Sequence, residues 1–422
     1  MDGPDRGLSR RAFVRSAVAI GGASALAACL QREESEDVPQ AALAPEDLPD
    51  RQHAWNEFLS TDDHGNVHPP EHHLLLGLEY VGNGPADASG ERERLESAFR
   101  TLEKAYRRGN DGLVFAVGYG PVYFDRFDGD GPEGIDLPAP KALTPFEDPA
   151  FDEYDALVHL ASDYGHVTLS AEEALKGELE QLNGLETEGS FNDIFEVAGR
   201  RTGFIGRGLP AERQSGVSGI PDSEPVPEDA PMFMGFKSGF RHNQASEDRV
   251  TIPDGPYAGG TTIHLSKIQL HLHQWYEQDS RAQRVSKMFS PTHNTDNLVE
   301  GAGQNLGDSS GVTDGPNTAA EAARSKGTVG HAQKAARARE DGEPIILRRD
   351  FDSTDDETAT THFLSLQRSI ADFVKTREAM TGADLSGPPT NSGILQYLTV
   401  RNRANYLVPP RERRSLPVPN PR

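Results

Sequence analysis

The residues of this chain that could do chemistry include a single cysteine, 14 histidines, and two adjacent arginines followed by an aspartate. Cys29 has no second cysteine to pair with, so no internal disulfide can form. His64, His68 and His72 are spaced by four, which on a helix would place three imidazoles on one face. A Pro-Pro pair between the last two interrupts such a helix, which disfavours a metal site there.

Arg348, Arg349 and Asp350 follow an apolar segment that predicts a strand. Because alternate side chains of a strand face opposite sides, Arg348 and Asp350 should share one side and Arg349 should face the other. A fixed positive charge can stabilise a developing anion, and a carboxylate can move a proton. The alternative is that both arginines are solvated edge residues and that Asp350 belongs to a turn. His331 is the first residue of a charged segment that ends at residue 339. The alternative is that it is an ordinary surface histidine of this segment.

The charge of the chain narrows the class of protein. Its formal net charge is -24, with 66 acidic residues against 42 Lys and Arg, of which only nine are Lys. An acidic, lysine-poor composition suits a high-salt environment, where ions screen the repulsion between carboxylates. It argues against nucleic acid as a partner, because no basic stripe is available to displace counterions.

The N-terminal segment has the pattern of an export signal. Arg10 and Arg11 precede a mildly apolar run at residues 17–28, which is too short to anchor the chain in a bilayer. The pattern resembles a twin-arginine signal, and residues 26–29 resemble a lipoprotein cleavage box that would leave Cys29 as the lipid-bearing first residue. A plain secretory signal is the alternative. We expect the mature protein to sit on the outer face of the cytoplasmic membrane, held by this lipid.

Hydrophobic periodicity predicts alternating strands and helices. Strands are expected at residues 73–80, 113–120, 155–162, 261–270, 345–348 and 362–366. Helices are expected at residues 90–108, 170–181 with Ser170 as the N-cap, around Trp275, and at 369–380. Residues 121–124 are read as a strand end, and residues 294–328 as a long Gly/Asp/Asn/Ser-rich stretch. The order predicts an α+β fold of two ferredoxin-like units, a dimeric α+β barrel with antiparallel sheets and helices on the outer faces.

Four segments, in order along residues 52–410, are similar to the dye-decolorising (DyP-type) peroxidase family. They are a glycine-rich strand end at 117–121 with Phe-Asp-Arg at 124–126, the loop at 234–239, the strand-to-helix segment at 259–275, and Gly330-His331 with Arg348 seventeen positions on. The loop corresponds to the family's Gly-Phe-x-Asp-Gly motif but carries Ser238 at the position of the acid. The chain therefore resembles a divergent member with a degenerate motif.

The resemblance implies a heme b cofactor, with His331 as the iron ligand and Arg348 beside the bound peroxide. Gly235, Phe236 and Gly239 would shape the loop against the heme. Ser238 cannot act as a base without help, so Asp350 is the candidate substitute for the missing acid. The implied substrates are hydrogen peroxide and an unknown reducing donor, and a homo-oligomer is possible.

The expected organisation is a signal with a lipobox at residues 1–29 and a flexible acidic tether at 30–50. A first ferredoxin-like unit at 51–215 and a second unit at 216–422, which carries the heme site, follow. Three functions remain open at this point. They are a heme peroxidase-like enzyme, a non-catalytic heme-binding protein of the same fold, and a surface protein that has lost the heme.

Overall fold

The structure is a computed structural model that describes residues 38–84, 88–127, 131–312, 315–385 and 393–418. The export signal and Cys29 lie outside these residues. None of the helices in the described ranges has the length and apolar character needed to cross a bilayer.

Twelve strands are present in the described part of the chain: β1 His72–Tyr80, β2 Val114–Tyr119, β3 Ala150–Phe151, β4 Ala156–Ser162, β5 Gln181–Leu182, β6 Leu185–Glu186, β7 Phe195–Phe204, β8 Thr261–Leu270, β9 Leu347–Arg348, β10 Phe351–Ser353, β11 Thr360–Gln367 and β12 Leu398–Val408. Ten α-helices accompany them there: α1 Ala88–Ala105, α2 Pro121–Phe127, α3 Gly165–Leu175, α4 Leu209–Glu212, α5 Glu247–Val250, α6 Arg281–Met288, α7 Pro291–Thr295, α8 Gly315–Lys326, α9 His331–Ala336 and α10 Ile370–Thr381. The expected helix around Trp275 is a single π-helical turn, Gln274–Gln278.

The strands form two ferredoxin-like groups within one closed sheet. The first group has the order β7-β1-β4-β2, and the second has the order β12-β8-β11 followed by β9 and β10. When the strands of each group are counted along the chain, the second and the fourth lie at the outer edges of that group. All pairings within the groups are antiparallel. The groups meet at two joins of one residue pair each, Leu407↔Tyr119 and Asp352↔Phe204. The expected α+β fold with two ferredoxin-like units is confirmed.

Strand β1 shows why the apolar runs are continuous rather than alternating. Leu74 and Leu76 pack outward against Leu95 and Phe99 of α1, whereas Leu75 points into the barrel interior. A strand that is covered on both faces must be apolar on both. Helix α1 forms because its apolar residues recur at helical spacing, which gives it one buried face.

Several expected boundaries were wrong. Ser170 does not cap a helix that reaches residue 181, because α3 begins at Gly165 and Ser170 lies inside it. The apolar face that includes Val167 and Ala171 starts the helix earlier than the serine suggests. Residues 121–124 belong to helix α2 rather than to a strand end. The polar stretch at 294–328 contains helix α8.

Candidate functional site

A cavity of about 860 Å³ lies on the outer face of the second strand group. Its floor is formed by alternate residues of β8, including Ile268 and Leu270, and its walls by helices α9 and α10 and by residues 232–240. The lining is mainly apolar, with Phe236, Phe289 and Phe373 among its aromatic members. Cavities of roughly this volume hold drug-sized ligands and cofactors.

His331 is the first residue of α9 and faces this cavity. Gly330 precedes it because the chain passes close to the backbone of Phe289. A Cβ at position 330 would lie 1.9 Å from the Phe289 carbonyl oxygen. His331 is half-buried. Burial, together with the nearby charges of Arg348 and Lys334, lowers the pKa of His331 to about 3. At this pKa the imidazole is neutral near pH 7, and its ring forms no hydrogen bond with any described residue.

Arg348 and Asp350 lie on the wall of the same cavity, where the chain leaves β9 and enters β10. The guanidinium Nη1 of Arg348 is 3.7 Å from the Asp350 Oδ2. Burial raises the pKa of Asp350 above its usual value, and the charge of Arg348 only partly opposes this. The other carboxyl oxygen, Oδ1, is buried and has no hydrogen-bond partner among the described residues. Arg349 points to the opposite side, where it packs over Trp55 in the barrel interior and pairs with Glu247 at 2.7 Å.

The loop that carries Ser238 forms the wall beside Arg348. Ser238 and Phe236 line the cavity, whereas Gly235 and Gly239 provide the backbone shape of the loop with φ angles of +81° and +77°. At Gly235 a Cβ would lie 2.7 Å from the hydroxyl of Tyr276, so a side chain is excluded there as well.

Buried hydrogen bonds fix this loop to the sheet. The Phe233 N–H donates to Asp352 Oδ2 at 2.5 Å, and the Tyr276 hydroxyl donates to the Phe233 carbonyl at 2.7 Å. On the other side of the loop, Lys237 Nζ pairs with Asp62 at 2.8 Å. Burial raises the pKa of Asp352 to about 7. Through its hydrogen bond with Phe233, Asp352 holds the loop that carries Ser238. Asp352 itself lies two residues after Asp350 in the chain.

The sequence-predicted site residues thus fall into three sets. His331, Arg348, Asp350, Ser238 and Phe236 line one cavity. Gly235 and Gly239 shape the adjacent loop without lining it. Cys29 lies outside the described residues.

A family model described as "Family of unknown function (DUF7405)" matches residues 70–410. The chain belongs to the DUF7405 family. None of the curated proteins compared with this DUF7405 chain matches it.

Solved structures of DyP-type peroxidases are similar to this DUF7405 member in fold. An encapsulated DyP-type peroxidase from Mycobacterium smegmatis has a TM-score of 0.53 at 14% identity, over 84% of this chain and 97% of that one. A variant of DypB from Rhodococcus jostii RHA1, in complex with heme, has a TM-score of 0.52 at 15% identity, over 83% and 96%. At such identities the likeness establishes the fold of the DUF7405 chain.

Other residues of the DUF7405 cavity were missed by sequence reasoning. Arg377 on α10, Arg403 on β12 and Glu147 on a loop meet at its wall. The available signal was on α10, where Phe373, Arg377 and Met380 share one helical face, so that a charge interrupts an otherwise buried stripe.

The ligand chemistry of this DUF7405 site follows from its donors. Among the described residues, no group of three His, Cys, Asp or Glu side chains could hold a metal ion. A single neutral imidazole can instead complete the coordination of a metal that arrives in a ligand of its own. A fixed positive charge and a buried carboxyl line the same space.

Proposed function

We propose that this protein binds heme in the cavity and uses hydrogen peroxide to oxidise an external donor, and that His331 would bind the iron. The observation that carries the proposal is that one cavity is lined by a neutral imidazole, which has no hydrogen bond to the described part of the chain, and by an Arg-Asp pair. One buried oxygen of that pair, Asp350 Oδ1, has no partner among the described residues.

The residues present fit heme by their chemistry. An axial imidazole must be unprotonated to bind iron, and the pKa of about 3 keeps His331 neutral at physiological pH. A flat apolar macrocycle needs an apolar cavity, which Phe236, Phe289 and Phe373 help to provide.

Bound heme would supply the redox chemistry of the reaction, in which peroxide takes up two protons and two electrons to give two waters while the donor is oxidised. Asp350 would accept a proton from one peroxide oxygen and return it to the other as that oxygen leaves. Its raised pKa, which lies closer to the working pH, suits both steps. Arg348 would stabilise the negative charge that develops on the leaving oxygen.

A second function, heme binding without turnover, is favoured by one observation. Ser238 takes the position that the family resemblance gives to the distal acid, and a hydroxyl is a poor base at neutral pH. In that case the cavity would store or deliver heme.

The test of heme binding is a visible spectrum of the protein purified from an export-competent host. We expect a Soret band in the wild-type protein, and its loss or a clear shift in His331→Ala. His271→Ala is the matched control, because His271 is half-buried and bonds to Thr399 of the cavity wall without lining the cavity itself. An unchanged Soret band in His331→Ala would exclude this residue as the ligand.

Peroxide turnover of a dye then separates the enzyme from the carrier. We expect measurable turnover in the wild-type protein and a faster rate in Ser238→Asp, which would supply a second carboxyl at the cavity wall. A heme-loaded protein with no peroxide turnover in either form would indicate the carrier.

Export through the twin-arginine route, lipid attachment at Cys29 and a position on the outer face of the membrane are part of the same proposal. The support is the sequence pattern around Arg10, Arg11 and Cys29. A folded, cofactor-loaded protein is the cargo that this route carries.

A further inference from the structure

The cavity is positively charged although the chain is strongly acidic. Six basic and three acidic residues line its described part, whereas the whole chain has 66 acidic residues against 42 Lys and Arg. A local reversal of sign on this scale attracts an anion. The ligand of the cavity should therefore carry negative charge.

The charge is concentrated where Arg377 and Arg403 share one carboxylate. Arg377 Nη2 donates to Glu147 Oε1 at 2.5 Å, and Arg403 Nη2 donates to Glu147 Oε2 at 2.8 Å. The Arg403 side chain is 1% exposed and that of Glu147 is 7% exposed, so this is a buried cluster and not a surface ion pair. Arg403 Nη1 is also 3.1 Å from Nε2 of His264, whose pKa burial lowers to about 3, so the imidazole adds no charge.

The cluster is incomplete in both charge and hydrogen bonding. Within the described ranges, these two guanidiniums pair with one carboxylate, which leaves one positive charge without compensation there. Arg377 Nη1 and Arg403 Nε are buried and have no hydrogen-bond partner among the described residues. Unpaired buried donors are uncommon, and a buried charge is usually paired. One further carboxylate would satisfy both requirements.

We propose that Arg377 and Arg403, held together by Glu147, form the carboxylate-binding subsite of the cavity. On the proposed function, which this inference rests on, the ligand group is a propionate of heme. The subsite would then hold the carboxylate of the ligand while His331 would bind its metal. Arg377 and His331 both line this cavity, so one ligand that fills it can reach both residues.

The test compares metal-free protoporphyrin IX with its dimethyl ester. Without a metal, the comparison does not depend on His331. Binding is followed by quenching of tryptophan fluorescence, since Trp275 lies edge-on to Phe236 of the cavity wall, with ring centroids 6.4 Å apart. We expect the wild-type protein to bind the free acid roughly tenfold to a hundredfold more tightly than the ester, as for hydrogen bonds to charged groups.

Two variants locate the effect. In Arg377→Gln the preference for the acid over the ester should fall to nearly one. In Arg401→Gln it should persist, because Arg401 also lines the cavity but is exposed and bonds to Gln269. Comparing the ratio of two ligands on one protein removes any general effect of a variant on stability or cavity shape.

The outcomes are distinguishable. Equal binding of acid and ester by the wild-type protein overturns the subsite and leaves the proposed function standing. An acid preference that survives in Arg377→Gln also overturns the subsite. If neither these porphyrins nor iron protoporphyrin binds, both the subsite and the proposed function fail.

Discussion

Replacing Arg348 should change the acidity of Asp350, and this effect can be worked out from the structure. The two charges are 3.7 Å apart, and the Arg348 side chain is 23% exposed. At an effective dielectric constant of about 20, unit charges at this separation attract by about 4 kcal/mol. Because this attraction favours the ionised carboxyl, Arg348→Gln should raise the already elevated pKa of Asp350 further.

The consequence appears in the pH dependence of the reaction with peroxide. Asp350 accepts a proton only when ionised, so the second-order rate constant should fall as the pH drops through the pKa of Asp350. In Arg348→Gln this fall should move to higher pH, in addition to an overall loss on the order of a hundredfold or more from the missing positive charge.

Stopped-flow spectroscopy at the Soret band, from pH 4 to pH 9, measures both effects. Asp350→Asn should lack the pH-dependent step altogether, and Arg401→Gln should keep the wild-type profile. If Arg348→Gln lowers the rate without moving its pH dependence, Asp350 is not the proton acceptor and the reasoning is refuted.

Three further predictions concern stability and location. Burial lowers the pKa of four histidines to about 3: His53, His73, His264 and His331. They stay neutral in the folded protein but titrate near 6.5 when it is unfolded. Each should therefore lower the free energy of unfolding by about 1.4 kcal/mol as the pH falls from 7.5 to 5.5. Asp352, raised to about 7, should offset about 2 kcal/mol of this. These five groups together should make the heme-free protein about 3.5 kcal/mol less stable to urea at pH 5.5 than at pH 7.5, and a flat profile would contradict neutral burial. Gly235→Ala should destabilise the protein by at least about 1 kcal/mol more than Gly255→Ala in the same assay. Both glycines have a positive φ, but a Cβ at 235 would meet the Tyr276 hydroxyl, whereas no described atom lies within 4 Å of a Cβ at 255. Equal losses would mean that Tyr276 moves aside without cost. Cys29→Ala should leave the protein exported but move it from the membrane to the soluble extracytoplasmic fraction; a variant that stays with the membrane would contradict lipid attachment at Cys29.

The fold was readable from sequence wherever strands are covered on both faces. Strand β8 was predicted at its observed bounds, and β1, β4 and β11 were predicted to within a few residues. Continuous apolar runs mark β1 and β4, whereas alternating apolar residues mark β8. Strand β7 was missed because much of it is exposed and polar, and β12 because polar residues interrupt its first half, which is only partly buried. Their places in the sheet depend on pairing with distant strands, and local sequence does not encode that.

The site was readable only where it is local in sequence. Arg348 and Asp350 are two residues apart, so strand geometry alone places them on one side. The Glu147 cluster joins residues that are 230 and 256 positions apart in the chain. Such a cluster exists only through the topology, and each member alone looks like an ordinary charged residue.

The one-pair join between β10 and β7 lies directly beside the cavity. Asp352 pairs with Phe204 there, and the same carboxyl holds the loop that carries Ser238. Local opening of a protein begins where backbone hydrogen bonds are few. The barrel should therefore open first at this join between β10 and β7, without unfolding its helices. A rigid planar ligand could enter when this join opens. Once bound against Asp350, it would keep β10 and β7 paired. Amide hydrogen exchange along Phe351–Ser353 should therefore be fast in the empty protein and slow in the loaded one.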